Sequence, residues 1–221
     1  MIVGNGLIAK AINSCDREDV ILFASGVSNS VSPKDHDFRR EEQLIREHLN
    51  NNKCFVYFST ISIYDESINR NSYIGHKLKM EQLIQQSNCP YLILRLPNII
   101  GSAGNPNTLY PYFKGCLENN EKVTIKRDAH RYLLTTHQLC KMLNQVLMSK
   151  ERDATINCVI EKPYKVVDIY KSIATVLKLK PNFELIDGGL HYEVNANFEF
   201  DIQVPALLSD LIEQEVLLPL G

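Results

Sequence analysis

Tyr73 and Lys77 stand four residues apart in the stretch Ser72-Tyr73-Ile74-Gly75-His76-Lys77. On a helix that spacing puts both side chains on one face, a turn apart. A free phenol, with a pKa of about 10, is a poor base at neutral pH, and a neighbouring ammonium favours its phenolate. Upstream, the run Lys53-Cys54-Phe55-Val56-Tyr57-Phe58 ends in two hydroxyls, Ser59 and Thr60. A hydroxyl opposite the phenol could hold a substrate oxygen between the two, which makes a proton-transfer site for an alcohol/ketone pair. Tyr and Lys at this spacing also occur by chance on many helices, so the surroundings must support the reading. Gly4-Asn5-Gly6-Leu7-Ile8-Ala9 supplies some of that support, because it fits G-x-G-x-x-A. The first glycine allows a tight turn, the second lets backbone approach a pyrophosphate, and Ala9 permits close helix–strand packing.

These residues need a sheet edge and helices to hold them. Residues 54–60, apolar and rich in aromatic and β-branched types, predict a buried strand that delivers Ser59 and Thr60 to the carboxyl edge of a parallel sheet, where ligands bind. A very short strand precedes Gly4, and a helix runs from Gly6 to about Cys15. Val20–Ala24 follows at once as another strand. A helix over Phe38–Asn50, with Phe38, Leu44, Ile45 and Leu49 on its apolar side, takes Asp37 as its cap. The helix through Tyr73 continues to about Gln86 with Leu78, Leu83 and Ile84 inward, and Asn88-Cys89-Pro90 breaks it. Tyr91–Gly101 is a buried strand leading to a turn, and 101–106 is a loop suited to a substrate mouth. Leu109–Glu118 reads as a helix, Lys122–Ile125 as a short strand, Gln138–Met148 as a helix that His137 could cap, and Val166–Leu177 as an amphipathic helix. The alternation is that of an α/β protein.

At 221 residues the chain can bury one substantial core with a small appended lobe. A net charge of −2 leaves no footprint for nucleic acid or an anionic membrane. No apolar run reaches membrane-spanning length, and the N-terminus lacks a basic region followed by an apolar core. Six scattered cysteines without C-x-x-C read as reduced core residues of a cytoplasmic protein, and no cluster has metal spacing.

Ser59-Thr60-Ile61-Ser62-Ile63-Tyr64, followed by Tyr73-x-x-x-Lys77-x-x-x-Glu81, resembles the extended short-chain dehydrogenases/reductases, in particular the NAD-dependent epimerase/dehydratase and nucleotide-sugar ketoreductase group, in abbreviated form. The resemblance assigns Thr60, four residues before Tyr64, as the catalytic hydroxyl beside Tyr73 and Lys77. It implies cofactor contacts at Gly4, Asn5, Gly6, Leu7 and Ile8, at Ala24, Ser25 and Gly26 beside the fourth strand, and at Ser59, Tyr73, Lys77, Leu96, Pro97 and Asn98. Substrate contacts fall to Ser62, Asn98 and Arg131, the last in Asp128-Ala129-His130-Arg131-Tyr132-Leu133, which is similar to the segment that meets the nucleotide diphosphate. Pro97 could equally end a strand, and Arg131 could be an ordinary surface charge. Ala154–Val159 and the closing segment, Phe198–Ile202 with a helix over Leu207–Val216, are also similar to family elements. The family's second and third strands, which carry the residue that reads the adenosine ribose, have no counterpart if Val20–Ala24 is the fourth strand. The alternative is that Val20–Ala24 is the second strand and a later one is lost. The implied fold is a Rossmann-like doubly wound parallel sheet lacking the second and third strands, as a single domain. Its core would span about 1–101 and 134–178, with a substrate lobe of about 102–133 and 179–221.

The resemblance implies an NAD(P)-dependent oxidoreductase reducing a keto group of a nucleotide-linked sugar for surface polysaccharide, with NADP(H) rather than NAD(H) implied for a reductase. The alternatives are a nucleotide-sugar 4-epimerase, or a non-catalytic redox sensor on the same scaffold. Dehydratases of the family carry Asp-Glu after the catalytic Thr, where this chain has Ile61 and Ser62, and the GDP-fucose-synthase type carries Cys at the place of Ser62. The implied partners are a nucleotide sugar and a second subunit, in a homodimer through the helices Phe38–Asn50 and Tyr73–Gln86.

Overall fold

A computed structural model describes residues 1–28, 34–49, 52–66, 71–101 and 105–217. The chain runs β1 (Ile2–Val3), α1 (Leu7–Ala11), β2 (Val20–Phe23), α2 (Asp35–His48), β3 (Cys54–Thr60), α3 (Ser72–Gln85), β4 (Tyr91–Leu96), β5 (Asn98–Ile100) and α4 (Leu109–Glu118). It continues through β6 (Val123–Lys126), β7 (His130–Arg131), β8 (Leu133–Thr135), α5 (Thr136–Met148), β9 (Ala154–Asn157), β10 (Tyr164–Lys165), α6 (Val166–Leu177), β11 (Phe183–Ile186) and α7 (Leu208–Leu217). The central parallel sheet has five strands in the order β1-β2-β3-β4-β9.

Every residue of β2 and β3 is buried, as a continuous apolar run with both faces covered requires. Because side chains alternate, Val20, Leu22, Val56 and Phe58 meet one layer and Ile21, Phe23, Phe55 and Tyr57 the other. The first layer is α1, its 3₁₀ extension Asn13–Cys15, and α5; the second is α2 and α3. The Cys15 and Cys140 thiols, 3.1 Å apart, mark where the 3₁₀ extension touches α5.

This layering decides which strand Val20–Phe23 is. The steps β1→β2 and β2→β3 run in the same direction across the sheet, yet α1 and α2 lie on opposite faces. The two crossovers therefore have opposite hands, whereas such connections are almost always right-handed. In the strand order 3-2-1-4-5-6 the first strand is interior and the winding reverses beside it, which puts its helix on the face opposite to those after the fourth and fifth. Removing the second and third strands makes the first strand an edge and leaves its helix where it was. The observed order does both, so Val20–Phe23 stands as the fourth strand, and the fold is the shortened doubly wound sheet.

A second apolar cluster, built by α4, β6, α6 and α7, forms the C-terminal lobe beyond the sheet's carboxyl edge. Strand pairs β5–β8, β10–β7 and β11–β6 tie it together.

Several local expectations change. Asp37 lies inside α2, whose cap position is Lys34 and has no side-chain cap bond. His137 lies inside α5, because Thr135, two residues earlier, caps the helix in a reciprocal capping box with Gln138. Leu78 on α3 is 43% exposed rather than inward, while Met80 and Ile84 are fully buried. Asn50, the expected end of α2, lies outside the described residues, as does part of the loop after Gly101. None of the six cysteines forms a disulfide, and five are buried.

Candidate active site

The carboxyl edge of the sheet opens into a cleft of about 710 Å³, walled by the β1–α1 turn, the ends of β2, β3 and β4, and the lobe. Gly6, Leu7, Ile8, Ala24, Gly26, Ser59, Thr60, Ser62, Tyr73, Lys77, Leu96, Pro97, Asn98 and Arg131 all line it. Gly4, Asn5 and Ser25, expected alongside them, are not on its wall. Gly4 instead makes the turn: its φ is +129°, and a Cβ there would sit 2.4 Å from the Ala24 carbonyl oxygen. Gly6 differs, since a Cβ at that position meets nothing within 4 Å. Open space in front of Gly6 is what a pyrophosphate lying against the backbone would occupy.

Thr60 ends β3 and is buried. Its hydroxyl accepts from the Ser62 N–H at 3.1 Å, which holds the 3₁₀ turn Ile61–Tyr64, while its own proton is directed to the Tyr73 phenol oxygen at the cleft. Asn71 caps α3 by accepting the Tyr73 N–H at 2.8 Å, so the first turn carrying Tyr73 is fixed. Burial pushes the Tyr73 phenol up; Lys77 pulls it down, Glu41 pushes it up and the Thr60 hydroxyl pulls it down, and the net effect is upward.

Beneath these residues lie two buried polar groups. In the first, Glu41 of α2 is 0% exposed. One of its oxygens accepts from Lys77 Nζ at 3.0 Å and from the Tyr57 hydroxyl at 2.7 Å. The other accepts from the Val27 N–H at 2.7 Å and faces His76 Nε2 at 3.0 Å. Burial raises its carboxyl, but Lys77, His76, Val27 and Tyr57 outweigh burial and hold it at about 2. In the second, Arg95 donates from Nε and Nη2 to both oxygens of Glu81, at 3.0 and 2.5 Å, and from Nη1 to the Tyr64 hydroxyl at 2.8 Å. Ser59 donates to Glu81 at 2.5 Å. The second group thus braces the strand end just before Thr60.

Glu41, His76 and Tyr57 were not singled out from sequence. A signal exists for Glu41: Phe38, Glu41 and Ile45 share one helix face, so a carboxylate occupies the apolar stripe. Across the cleft, Arg131 is held by Asp65 at 3.4 Å and donates to the His130 carbonyl at 2.7 Å. Asn98 pairs with Tyr132 through its backbone N–H at 3.2 Å and its side-chain amide at 3.4 Å. Among the described residues no group of three or more His, Cys, Asp or Glu side chains could hold a metal, and no helix is long and apolar enough to cross a membrane.

A search of curated protein sequences finds no match. Among solved structures, UDP-glucuronic acid 4-epimerase from Bacillus cereus, in complex with UDP-glucuronic acid and NAD, superposes with a TM-score of 0.71 at 17% identity, covering 96% of this chain and 77% of that one. The DesIV dTDP-glucose 4,6-dehydratase double mutant from Streptomyces venezuelae, with NAD and DAU bound, gives 0.71 at 16% identity, over 93% and 74%. RMD from Pseudomonas aeruginosa, complexed with NADPH, gives 0.58 at 15%, over 78% and 69%. These likenesses are of fold. A family profile described as "polysaccharide biosynthesis protein" matches residues 47–193, which run from the end of α2 through the Thr60, Tyr73 and Lys77 segment into the lobe. With most of its length so matched, the chain belongs to the polysaccharide biosynthesis protein family, on the fold of the extended short-chain dehydrogenases/reductases.

Proposed function

We propose that this protein is an NAD(P)-dependent oxidoreductase that acts on a keto group of a nucleotide-linked sugar. The observation that carries the reading is the meeting of Thr60, Tyr73 and Lys77 in one cleft with the open backbone at Gly6. When bound, the nicotinamide supplies the hydride. The chain supplies the rest. Thr60 Oγ1 donates to the substrate carbonyl oxygen. Tyr73 Oη gives its proton to that oxygen as the carbon becomes tetrahedral, and regains one from water in the cleft. Lys77 donates to the cofactor from the cleft floor, and Gly6, Leu7 and Ile8 follow its phosphates. Arg131 and Asn98 face the sugar nucleotide from the lobe side. In this reading the lobe is the substrate-binding part of a single domain. Ile61 and Ser62 follow Thr60, so the two carboxyl groups that a dehydratase places there are absent.

Net reduction and 4-epimerisation share these half-reactions. The solved relatives favour the epimerase, since the 4-epimerase described above superposes over nearly the whole chain with NAD bound. The shortened sheet favours net reduction: an epimerase must retain one cofactor through its cycle, and β1, at the sheet edge, leaves the adenosine half without its usual wall. Incubation with a nucleotide-linked 4-keto sugar and reduced nicotinamide separates the two. Stoichiometric loss of reduced cofactor marks a reductase. Interconversion of nucleotide-sugar epimers without net cofactor consumption marks an epimerase. Cofactor binding with neither outcome would overturn the enzymatic reading and support a sensor.

A further inference from the structure

The helical spacing of Tyr73 and Lys77 suits Lys77 to draw the phenol toward phenolate, yet the geometry commits its charge elsewhere. Nζ lies 3.0 Å from Glu41 Oε1 and 3.0 Å from the Tyr57 hydroxyl, with the centre of the Tyr57 ring at 4.9 Å and that of the Tyr73 ring farther off at 5.9 Å. Two of the three ammonium donors are thus used, and one remains for the cleft. Gly26 roofs the pair, since a Cβ there would lie 2.7 Å from Nζ and 3.1 Å from Glu41 Oε1. The Lys77 and Glu41 side chains are 3% and 0% exposed, so the charges act on each other at low dielectric. A close pair of opposite charges has a far weaker field at a third group than either charge alone.

The other groups around Tyr73 do not restore a positive field. From β3 come Thr60 and Tyr57, both uncharged hydroxyls. From α2 comes Glu41, from α3 come His76, Lys77 and Glu81, and from β4 comes Arg95. Glu81 is paired with Arg95 as Glu41 is with Lys77, so two cations face two anions. His76 Nε2 lies 3.0 Å from the other Glu41 oxygen, the one that Lys77 does not contact.

We propose that Glu41 is a positioning residue that neutralises Lys77 and keeps Tyr73 protonated, so that the site is poised to give a proton to a carbonyl rather than to take one from an alcohol. This rests on Tyr73 being the proton-transfer group, and it adds which protonation state the free enzyme presents to its substrate. Lys77 then works as a hydrogen-bond donor with a single free N–H, and Glu41 sets where that donor points.

The ionisation of Tyr73 can be followed without substrate or cofactor, as the phenolate absorbance of the protein minus that of its Tyr73→Phe variant. This difference titration stands or falls separately from turnover. In the wild-type background Tyr73 should contribute no phenolate below about pH 10, an ordinary tyrosine's value. In the Glu41→Gln background its midpoint should fall by a unit or more, because Lys77 is then unopposed. The double variant Glu41→Gln/Lys77→Gln, which removes both charges, should behave like wild type. Should Glu41→Gln fail to fold, Glu41→Asp draws the carboxylate back from Nζ while keeping its charge, and should lower the midpoint by about half a unit, or roughly threefold in the ionisation constant. A wild-type Tyr73 that ionises well below that of a free tyrosine would overturn the proposal. So would a midpoint that no Glu41 variant moves.

Discussion

Tyr73 contributes through one atom, its phenolic oxygen, and its ring packs whether or not that oxygen is present. Tyr73→Phe should therefore leave thermal stability and cofactor affinity close to wild type while turnover falls at least ~10²-fold, the usual worth of a positioned proton donor. A melting curve and a rate measurement on the same preparation check both halves. Glu41 is the opposite case, because several partners depend on it. Glu41→Ala leaves Lys77 buried and unpaired, and should cost about 3–5 kcal/mol in urea unfolding. The pH dependence follows from the depressed carboxyl. Its folded value of about 2 lies below the ordinary 4.5, so the stability it contributes is complete above pH 4.5 and is lost as the pH falls toward 2. Unfolding free energies measured across that window should drop for wild type and stay flatter for Glu41→Gln. Thr60, Tyr73 and Lys77 were legible because their spacing is itself the signal. Glu41 was not, because in Arg39-Arg40-Glu41-Glu42 it looks like one more solvated charge. Only its register with Phe38 and Ile45 betrays it.

At the scale of elements, the β1–α1 turn separates two glycines that look alike in sequence. Gly4→Ala forces a Cβ into φ +129° and against the Ala24 carbonyl, and should destabilise by about 1–3 kcal/mol. Gly6→Val meets only open cleft, so its melting temperature should hold while dinucleotide affinity, read by calorimetric titration, falls severely. Equal affinity in Gly6→Val and wild type would leave both glycines as turn residues. The helices α4 and α6 were readable to the residue, since their apolar periodicity begins and ends with them. Cap positions were less readable. Asp37 and His137 are plausible caps by type, but Thr135 with Gln138 offers α5 two mutual bonds, and α2 starts two residues before Asp37. Leu78 read as core from its type alone; the inward register of α3 passes instead through Ile74, Lys77, Met80, Glu81 and Ile84, two of them charged.

For the whole molecule, the missing strands were legible as a shortage of chain between the first helix and Val20. The edge position of β1 follows from that shortage and is what the sheet shows; the reversed hand of its crossover was not legible, because pattern along a strand carries no information on which face the next helix takes. The adenosine end of a dinucleotide should consequently be held loosely. NAD and NADP should bind with affinities within a few-fold of each other, and parallel titrations of the two would reveal any residue that reads the ribose. A further consequence concerns the order in which parts of the native protein open. β1 hydrogen-bonds to one neighbour only, and α1 is five residues long, so this segment should belong to the least stable cooperative unit of the sheet, while β3, paired on both sides, exchanges its amides only through global unfolding. A dinucleotide lying along Gly6 to Ile8 would bind the closed segment and not the open one. Amide exchange followed by mass spectrometry should thus show the β1–α1 peptide slowed on cofactor addition and the β3 peptide unchanged, with the ligand serving as the neighbour that β1 lacks.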